Sequence, residues 1–386
     1  MNRFVKVIFV LFVGLLFTTG CSFTKSNSST KNSGSISDIS TDDMFTDRDL
    51  VQTIDTSDAT VYTLESNKDI KITKEGVYLI RGDSNNSSIV VEADSSAKIQ
   101  LVLDGVSITN SSVPCIYVKS ADKVFVTTIN ENKLTVNGVF SEDGDTNTDA
   151  VIYSKDDLVL NGTGSLTINS TDNGITSKDK LKITGGTITI KCSADGLEAN
   201  DDVAIADGTI TIDTLKDGIH AEYDEDDSVG FVYIKDGTIT INSGDDAIHA
   251  TTYITIDGGV ITLNGKECLE ATVITINDGT ITINASDDGI NGSQKSKSLS
   301  VAVNINGGTT TINMGQGDTD GVDSNGGIYI NGGTLNINAQ SPFDYDGEAK
   351  YNGGTMIING EETTTITNQF MGGPGGNPGG HGGRRR

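Results

Sequence analysis

The chain has 386 residues with a formal net charge of −26, and it contains 46 Gly, 4 Pro and no Trp. This composition suits short strands joined by tight turns and argues against a helical enzyme, because Gly, Asn and Asp favour turns while Ile and Thr favour strands. The acidic charge argues against a nucleic acid partner, whose phosphates would be repelled. We expect a monomer.

The first residues form a targeting segment. Arg3 and Lys6 flank the start of an apolar run that is too short to span a membrane comfortably. The sequence Thr-Thr-Gly-Cys ending at Cys21 resembles the lipobox of bacterial lipoproteins, although Thr18 stands where an aliphatic residue is usual. We therefore expect a signal peptide at residues 1–20 and lipidation at Cys21, which would anchor an extracellular protein to the cell membrane. Ordinary signal cleavage nearby is the alternative.

Two terminal segments have too few apolar residues to form a core. Residues 21–50 are rich in Ser, Thr, Asn, Lys and Asp, which predicts a flexible tether. Residues 361–386 form a Gly-rich tail ending in three arginines, which predicts disorder. Between them, residues 51–360 form the predicted folded domain, with an irregular cap and first coils at 51–161.

A repeat that begins with Gly followed mostly by Thr determines the predicted fold. Three short strand candidates and three turns fit into its base period of 22 residues, and the longer units carry insertions. This predicts an all-β protein, a single-stranded right-handed parallel β-helix (a β-solenoid) with three strands per coil of about 22 residues. The repeat glycines are Gly164, Gly186, Gly208, Gly237, Gly259, Gly279, Gly308, Gly333 and Gly354.

Alternation along the strands predicts which side chains are buried. Ile188 and Ile190 should point inward and Thr189 outward, because neighbouring side chains on a strand face opposite sides. The widely spaced cysteines, which show no pattern typical of a metal site, are best interpreted as small buried residues. They are Cys115, Cys192 and Cys268.

Two polar columns recur at one place in successive repeats. Stacked carboxylates repel one another, so either solvent or hard cations such as Ca²⁺ must offset the repulsion. We expect calcium in part of this ladder; a solvated acidic edge is the alternative. The first column is Asp195, Asp217, Asp246, Glu267, Asp288 and Asp320; the second, three residues later, is Glu198, His220, His249, Glu270, Asn291 and Asp323.

Two loops resemble calcium loops in the type of their ligands. Both lack the full spacing of an EF-hand and its flanking helices. The first contains Asp143, Asp145, Asn147 and Asp149, and the second contains Asp318, Asp320, Asp323 and Asn325.

The stacked histidines, His220 and His249, allow two interpretations. They are either a catalytic or metal-binding pair, or a partly exposed ladder pair that contributes to ligand binding. We include both among the candidate glycan-binding residues.

Polysaccharide lyase or hydrolase activity on pectin-like glycans is the enzymatic alternative, suggested by other parallel β-helices. A lyase commonly needs an Arg or Lys base beside calcium, but no arginine lies between residues 82 and 383 and no lysine stands in a clear motif. Adjacent Asp pairs are weak candidates for the acid and base of a hydrolase, since neighbours on a strand face opposite ways. We therefore expect no enzyme activity.

Several segments resemble one known family. These are Asp217-Gly218-Ile219-His220-Ala221, the run from Asp320 to Gly326, and Phe343-Asp344-Tyr345-Asp346-Gly347, the latter two followed by Gly-Gly-Thr. They resemble the clostridial-type carbohydrate-binding domain-containing proteins, which are lipoprotein-like β-helices at the cell surface that bind cellulose and acidic sugars. The resemblance covers about residues 60–360 and the Gly-rich tail.

The resemblance implies calcium-dependent, non-catalytic polysaccharide binding. Asp320, Asp323, Asn325, Asp344 and Asp346 would then be calcium candidates. Lack of Trp removes the usual stacking platform for cellulose, which Tyr233, Tyr253 and Tyr329 would replace in part if they share a strand column. The negative charge favours acidic glycan held by bridging cations. A structural or adhesive surface spacer is the remaining alternative.

Overall fold

The computed structural model describes residue 41 and residues 44–223, 225–316 and 319–369. Within these ranges every regular element is a β-strand, and no helix long and apolar enough to cross a membrane is found. Backbone contacts divide the chain into Met1–Ser37 and Asp38–Arg386, and the described residues all belong to the second unit. The predicted signal peptide, Cys21 and most of the predicted tether and tail lie outside the described residues.

Thirty-six strands follow one another in the described ranges. The first twelve are β1 Thr60–Thr63, β2 Ile70–Ile72, β3 Gly76–Asn85, β4 Ile89–Glu92, β5 Lys98–Asn110, β6 Ile116–Ser120, β7 Lys123–Ile129, β8 Glu131–Val136, β9 Ala150–Ser154, β10 Asp157–Gly162, β11 Ser165–Asn169 and β12 Asn173–Ser177. The next twelve are β13 Lys180–Ile183, β14 Thr187–Lys191, β15 Leu197–Ala199, β16 Asp202–Ile205, β17 Thr209–Asp213, β18 Ile219–Ala221, β19 Phe231–Ile234, β20 Thr238–Asn242, β21 Ile248–Ala250, β22 Tyr253–Ile256, β23 Val260–Gly265 and β24 Leu269–Ala271. The last twelve are β25 Val273–Ile276, β26 Thr280–Ala285, β27 Asp288–Gly292, β28 Ala302–Ile305, β29 Thr309–Met314, β30 Asp320–Ser324, β31 Gly327–Ile330, β32 Thr334–Asn338, β33 Ser341–Tyr345, β34 Ala349–Tyr351, β35 Thr355–Ile358 and β36 Glu361–Thr363.

The strand order corrects the predicted single-stranded β-helix. The protein is all-β, but hydrogen bonds join its strands into two sheets, one of 24 strands and one of 12 strands. The larger sheet is continuous because β5 pairs with β7 through Lys98–Asp104 and with β8 through Ser107–Asn110, so one long strand connects two series of shorter strands. All the strand pairs are parallel except β35 with β36, which is antiparallel.

The repeat sets the register of the strand pairs. Ile188 pairs with Ile210 and Thr189 with Thr211, each 22 residues further along the chain. Ile188 is 3% exposed and Ile190 is fully buried, whereas Thr189 faces solvent, which confirms the predicted faces. Buried side chains of both sheets form one continuous hydrophobic cluster that extends from Leu64 to Met356.

The buried cysteines and the repeat glycines fit this close packing. Cys115, Cys192 and Cys268 are buried and free, as the sequence predicts. Gly308 has a φ of +69°, and a Cβ there would lie 2.5 Å from the carbonyl oxygen of Gly279 in the preceding repeat. Glycine is therefore required at this corner, both for its backbone conformation and because two backbone segments of successive repeats approach closely there.

The segment at residues 44–52 packs on the larger sheet. Asp49 is fully buried, and its carboxylate lies 3.4 Å from Nζ of Lys123 and 3.3 Å from Nζ of Lys182. Gln52 donates to the carbonyl oxygen of Thr184 at 2.9 Å, and the Phe45 ring lies 6.1 Å from that of Tyr233. The end of the predicted tether is thus in contact with the strands, while its start lies outside the described residues.

Candidate functional site

One outward-facing row of side chains crosses the 12-stranded sheet from end to end. Each strand contributes one residue, and the parallel register places the same position of successive repeats side by side. In order, the row is Lys71, Val90, Tyr117, Tyr153, Thr176, Glu198, His220, His249, Glu270, Asn291, Asp323 and Asp344. We call these residues the outward row. The register confirms that the residues of the predicted second column are stacked.

The first predicted column borders the outward row, and hydrogen bonds from backbone N–H groups to carboxylates connect several of its neighbouring members. The backbone N–H of Asp217 donates to Oδ1 of Asp195 at 3.1 Å, and that of Asp246 donates to Oδ1 of Asp217 at 2.9 Å. In the same way, the backbone N–H of Asp320 donates to Oδ1 of Asp288 at 3.2 Å. Backbone donors therefore offset part of the repulsion between these carboxylates, a contribution that the sequence analysis did not anticipate.

At the centre of the outward row, the two histidines are held by carboxylates. Nδ1 of His220 lies 3.2 Å from Oδ2 of Asp195, and Nδ1 of His249 lies 3.1 Å from Oδ2 of Asp246 and 3.2 Å from Oε2 of Glu270. Burial alone would lower the histidine pKa values, but these carboxylates raise the pKa of His220 to about 10 and that of His249 to about 9. In the metal-free protein, both rings are therefore cationic at neutral pH.

Two lysines flank the histidines. Nζ of Lys178 lies 3.0 Å from Oε1 of Glu198, and Nζ of Lys295 lies 2.8 Å from Oε2 of Glu270. Although burial would lower the pKa of Lys295, the charge of Glu270 raises it above the usual value. The middle of the outward row thus has two adjacent histidines between two carboxylates, and each of these carboxylates also pairs with a lysine outside the row.

Further along the outward row, carboxylates accumulate. Burial and the nearby charge of Asp323 raise the pKa of Asp288 to about 8. Burial and the charges of Asp344 and Asp320 raise the pKa of Asp323 to about 7. We call Asp288, Asn291, Asp320, Asp323 and Asp344 the acidic end. The raised pKa values of Asp288 and Asp323 indicate that added positive charge would be favourable there.

The acidic end includes one buried amide oxygen. Asn291 is 9% exposed, and its Nδ2 donates to Oε2 of Glu267 at 2.8 Å. Its Oδ1 accepts no hydrogen bond within the described residues. Asn291 pairs in register with Asp323 on the following strand. An acceptor among carboxylates has no donor to pair with, so a cation suits this position.

The first predicted calcium loop does not converge in this way. Asp143 binds Nζ of Lys119 at 2.6 Å and accepts the hydroxyl hydrogen bond of Tyr117 at 3.0 Å. Nδ2 of Asn147 donates to Oδ2 of Asp149 at 2.5 Å, while Asp145 is exposed. The Asp143 carboxylate is thus already compensated by a lysine.

The second predicted loop is placed in part. Asp320 and Asp323 belong to the acidic end, but Asp318 lies outside the described residues. Asn325 and Asp346 are exposed. The backbone N–H of Asn325 donates to the carbonyl oxygen of Gly292, which fixes the loop after the strand. The roles of all these residues as metal ligands stay predictions.

The predicted tyrosine column is not formed. Tyr233 pairs with Thr255, whereas Tyr253 pairs with Val273, so Tyr253 lies two positions away from the row that Tyr233 and Tyr329 share. Tyr233 is 3% exposed and donates to Oδ2 of Asp257 at 2.7 Å. It is not available for stacking on a sugar.

Sequence analysis missed several members of the site. Tyr117 and Tyr153 belong to the outward row, with ring centroids 5.7 Å apart. Tyr117 and Lys71 also line a cavity of about 280 Å³ at that end of the row. Alignment of the 22-residue unit backward through Thr176 would have found the row, but the irregular spacing before residue 164 conceals it.

Comparison with known proteins agrees with a carbohydrate-binding surface. The family model of carbohydrate-binding domain-containing proteins matches residues 66–317 and 270–371. A protein of that description from Acetivibrio thermocellus is 41% identical over 126 residues, which are 31% of this chain and 44% of that protein. The match thus spans less than half the length of this curated relative.

A solved structure is also similar. It is the polysaccharide lyase-like protein from C. thermocellum, a gadolinium derivative, with 34% sequence identity and a TM-score of 0.50. The similarity covers 57% of this chain and 92% of that chain. From the matched family model, which covers most of the described residues, the chain belongs to the carbohydrate-binding domain-containing protein family.

Proposed function

We propose that this protein binds an acidic polysaccharide at the bacterial cell surface without cleaving it, and that calcium at the acidic end is required. Family membership supports the polysaccharide. The observation that carries the calcium proposal is the buried Oδ1 of Asn291, which accepts no hydrogen bond within the described residues, on a residue that stands in register between Glu270 and Asp323. Carboxylate and amide oxygens are the ligands that Ca²⁺ prefers.

The proposed ligands come from three consecutive strands of the smaller sheet. Asp288 and Asn291 lie on β27, Asp320 and Asp323 on β30, and Asp344 on β33. Bound calcium would supply positive charge between these carboxylates and the uronate groups of a glycan, which a chain of charge −26 otherwise repels.

The location at the cell surface follows from the targeting segment. Lipidation at Cys21 would place the folded domain outside the membrane, with the lipid as its only membrane contact. This part of the proposal rests on sequence alone, because Cys21 lies outside the described residues. Metabolic labelling with a palmitate analogue tests it: wild-type chain should be labelled and Cys21→Ala should not.

Calorimetric titration of polygalacturonate into the full chain tests the binding proposal. We expect binding with calcium and none with EDTA, while a melting curve in EDTA shows that the fold persists. Asp323→Asn should abolish the calcium-dependent binding of polygalacturonate. The matched charge change Asp145→Asn in the exposed loop should leave that binding unaltered. Equal binding with calcium and with EDTA would overturn the calcium requirement, and no binding in either buffer would favour a structural spacer.

Lyase activity is the second candidate, because the solved relative is described as polysaccharide lyase-like. Lys295 is half-buried beside the outward row, but its ion pair with Glu270 keeps it protonated and therefore a poor base. Appearance of an unsaturated product that absorbs in the ultraviolet during the same titration would replace the binding proposal with the lyase.

A further inference from the structure

A second cluster of possible ligands lies at the centre of the outward row. Nε2 of His220 lies 3.1 Å from Oε2 of Glu222, and Nε2 of His249 lies 3.6 Å from the same carboxylate oxygen. The ligand atoms of these three residues are all within 4.8 Å of one another. Two ring nitrogens and one carboxylate therefore converge on a single point.

The opposite nitrogen of each ring is held by a carboxylate. Nδ1 of His220 faces Asp195, and Nδ1 of His249 faces Asp246 and Glu270. Histidines that bind metals usually donate their other ring N–H to such a group, which leaves the coordinating nitrogen with a free lone pair. Both imidazoles are therefore oriented as metal ligands, with Nε2 turned to the shared point, and metal binding there would release the Nε2 protons that the metal-free rings carry.

The buried histidine supplies an independent observation. His249 is 8% exposed, and its Nε2 forms no hydrogen bond among the described residues. A buried polar nitrogen without a partner is costly to maintain, because it has lost its contact with water. The position of this atom beside Glu222 suits a bound cation.

We propose that His220, His249 and Glu222 bind a divalent transition-metal ion such as Zn²⁺. Tetrahedral zinc, with bonds of about 2.0–2.2 Å, separates neighbouring ligand atoms by about 3.3 Å. The two separations from the Glu222 oxygen, 3.1 and 3.6 Å, bracket this value. Imidazole nitrogen favours zinc over calcium, so this cluster differs in chemistry from the all-oxygen acidic end. Three protein ligands leave one position for water or another oxygen ligand.

The proposed metal site depends on insertions into the repeat. Glu222 follows β18 at the start of one inserted loop, in the unit that extends over 29 residues from Gly208 to Gly237. A second insertion contacts it, because the backbone N–H of Lys297 donates to Oδ2 of Asp227 at 3.0 Å. A metal bound here would connect the inserted loop, through Glu222, to the two strands that carry His220 and His249. Regular repeats lack this loop and therefore lack the third ligand.

Zinc titration of the full chain tests the proposal. His381, the remaining histidine, is replaced by Ala in every protein compared, so that the tail contributes no imidazole. At pH 8 with excess calcium, we expect one tight zinc site and, with Co²⁺, the intense visible absorption of tetrahedral coordination. Loss of a ligand should weaken binding by more than the about 10- to 100-fold that is typical for a supporting residue.

Three variants decide the outcome. Glu222→Gln and His249→Gln should each weaken zinc binding and abolish the Co²⁺ band, whereas Glu225→Gln, an exposed change of equal charge in the same loop, should alter affinity less than twofold. Glu222 lies in a surface loop, so its variant should keep the fold even if His249→Gln does not. Zinc affinity that is equal in Glu222→Gln and the parent, or complete displacement of zinc by excess calcium, would overturn the proposal.

Discussion

The carboxylate of Asp217 accepts a hydrogen bond from the backbone N–H of Asp246, at 2.9 Å, in the next repeat. An acidic side chain thus acts as a structural link between two turns of the chain. Burial raises the pKa of Asp217 above the usual value, and this hydrogen bond opposes the rise because it favours the charged carboxylate.

Replacement of Asp217 by Ala should therefore lower the free energy of unfolding by about 1–3 kcal/mol, because a partly buried backbone donor loses its partner. Asp217→Asn keeps an oxygen acceptor at the same place and should cost clearly less. Denaturant unfolding of both variants measures the difference. Equal losses for Ala and Asn would mean that the charge, not the acceptor, is what matters.

Because of the two histidines, the free energy of unfolding should fall as the pH becomes alkaline. Their raised pKa values mean that the folded protein binds these protons more tightly than the unfolded chain does. The resulting stabilisation is fully present below about pH 6.5, the value for an unfolded histidine, and is lost as pH rises through about 9 and 10. The groups that face the two rings are Asp195, Asp217, Asp246, Glu222 and Glu270, together with each other's imidazole.

Unfolding in EDTA between pH 6 and pH 10 measures this dependence. The decline of the unfolding free energy with pH should be steeper in the wild type than in a variant with both His220 and His249 replaced by Gln. That double variant corrects for the titration of the other groups. Parallel curves for the two proteins would contradict the prediction.

A pair of glycines separates backbone conformation from close packing. Gly308 and Gly105 have nearly the same φ, +69° and +68°, but a Cβ would meet nothing within 4 Å at Gly105. Gly105→Ala should cost about 1–2 kcal/mol for the left-handed conformation alone. Gly308→Ala should cost a further 1–3 kcal/mol, roughly, because it clashes with the carbonyl oxygen of Gly279. Thermal unfolding of the two variants would refute this if their losses were equal.

Loss of the buried carboxylate of Asp49 should be strongly destabilising. Asp49→Ala leaves the ammonium group of Lys182, which is 9% exposed, without its carboxylate, and breaking such a pair costs about 3–5 kcal/mol. The exposed neighbour Asp47 provides the control, and Asp47→Ala should stay within about 0.5 kcal/mol of the wild type. Denaturant unfolding measures both. If Asp49→Ala lowered the free energy of unfolding as little as Asp47→Ala does, residues 44–52 would contribute little to the stability of the fold.

The faces and register predicted from the repeat were confirmed for single residues, whereas the single-stranded β-helix predicted from the same repeat was wrong. Ile188, Ile210 and Thr189 have the expected faces because a shift of one residue would expose every buried isoleucine, so the pattern fixes the register. The same register stacks Glu198, His220 and His249. Periodicity does not show how far a strand continues through a corner, and the joining of two series of strands by β5 was missed for that reason.

Residues outside the repeat were placed less well. Glu222 and Lys295 lie in insertions that have no counterpart in neighbouring repeats, so nothing in the sequence indicates that both approach the histidine pair. Tyr253 was misaligned because it opens its strand, whereas Tyr233 is the third residue of its own. Asp143 has the ligand type of a calcium loop, but only the structure shows that Lys119 already neutralises it.

The packed segment at residues 44–52 has a mechanical consequence. It contacts Lys123 on β7, Gly162 on β10, Lys182 on β13 and Tyr233 on β19, although stacked repeats otherwise touch only their immediate neighbours. Those strands therefore cannot fray one at a time while the segment stays in place. Tension applied through the predicted membrane anchor would act first on the contacts of Asp49 and Gln52. These contacts would have to break before the strands that the segment touches could separate from the sheet.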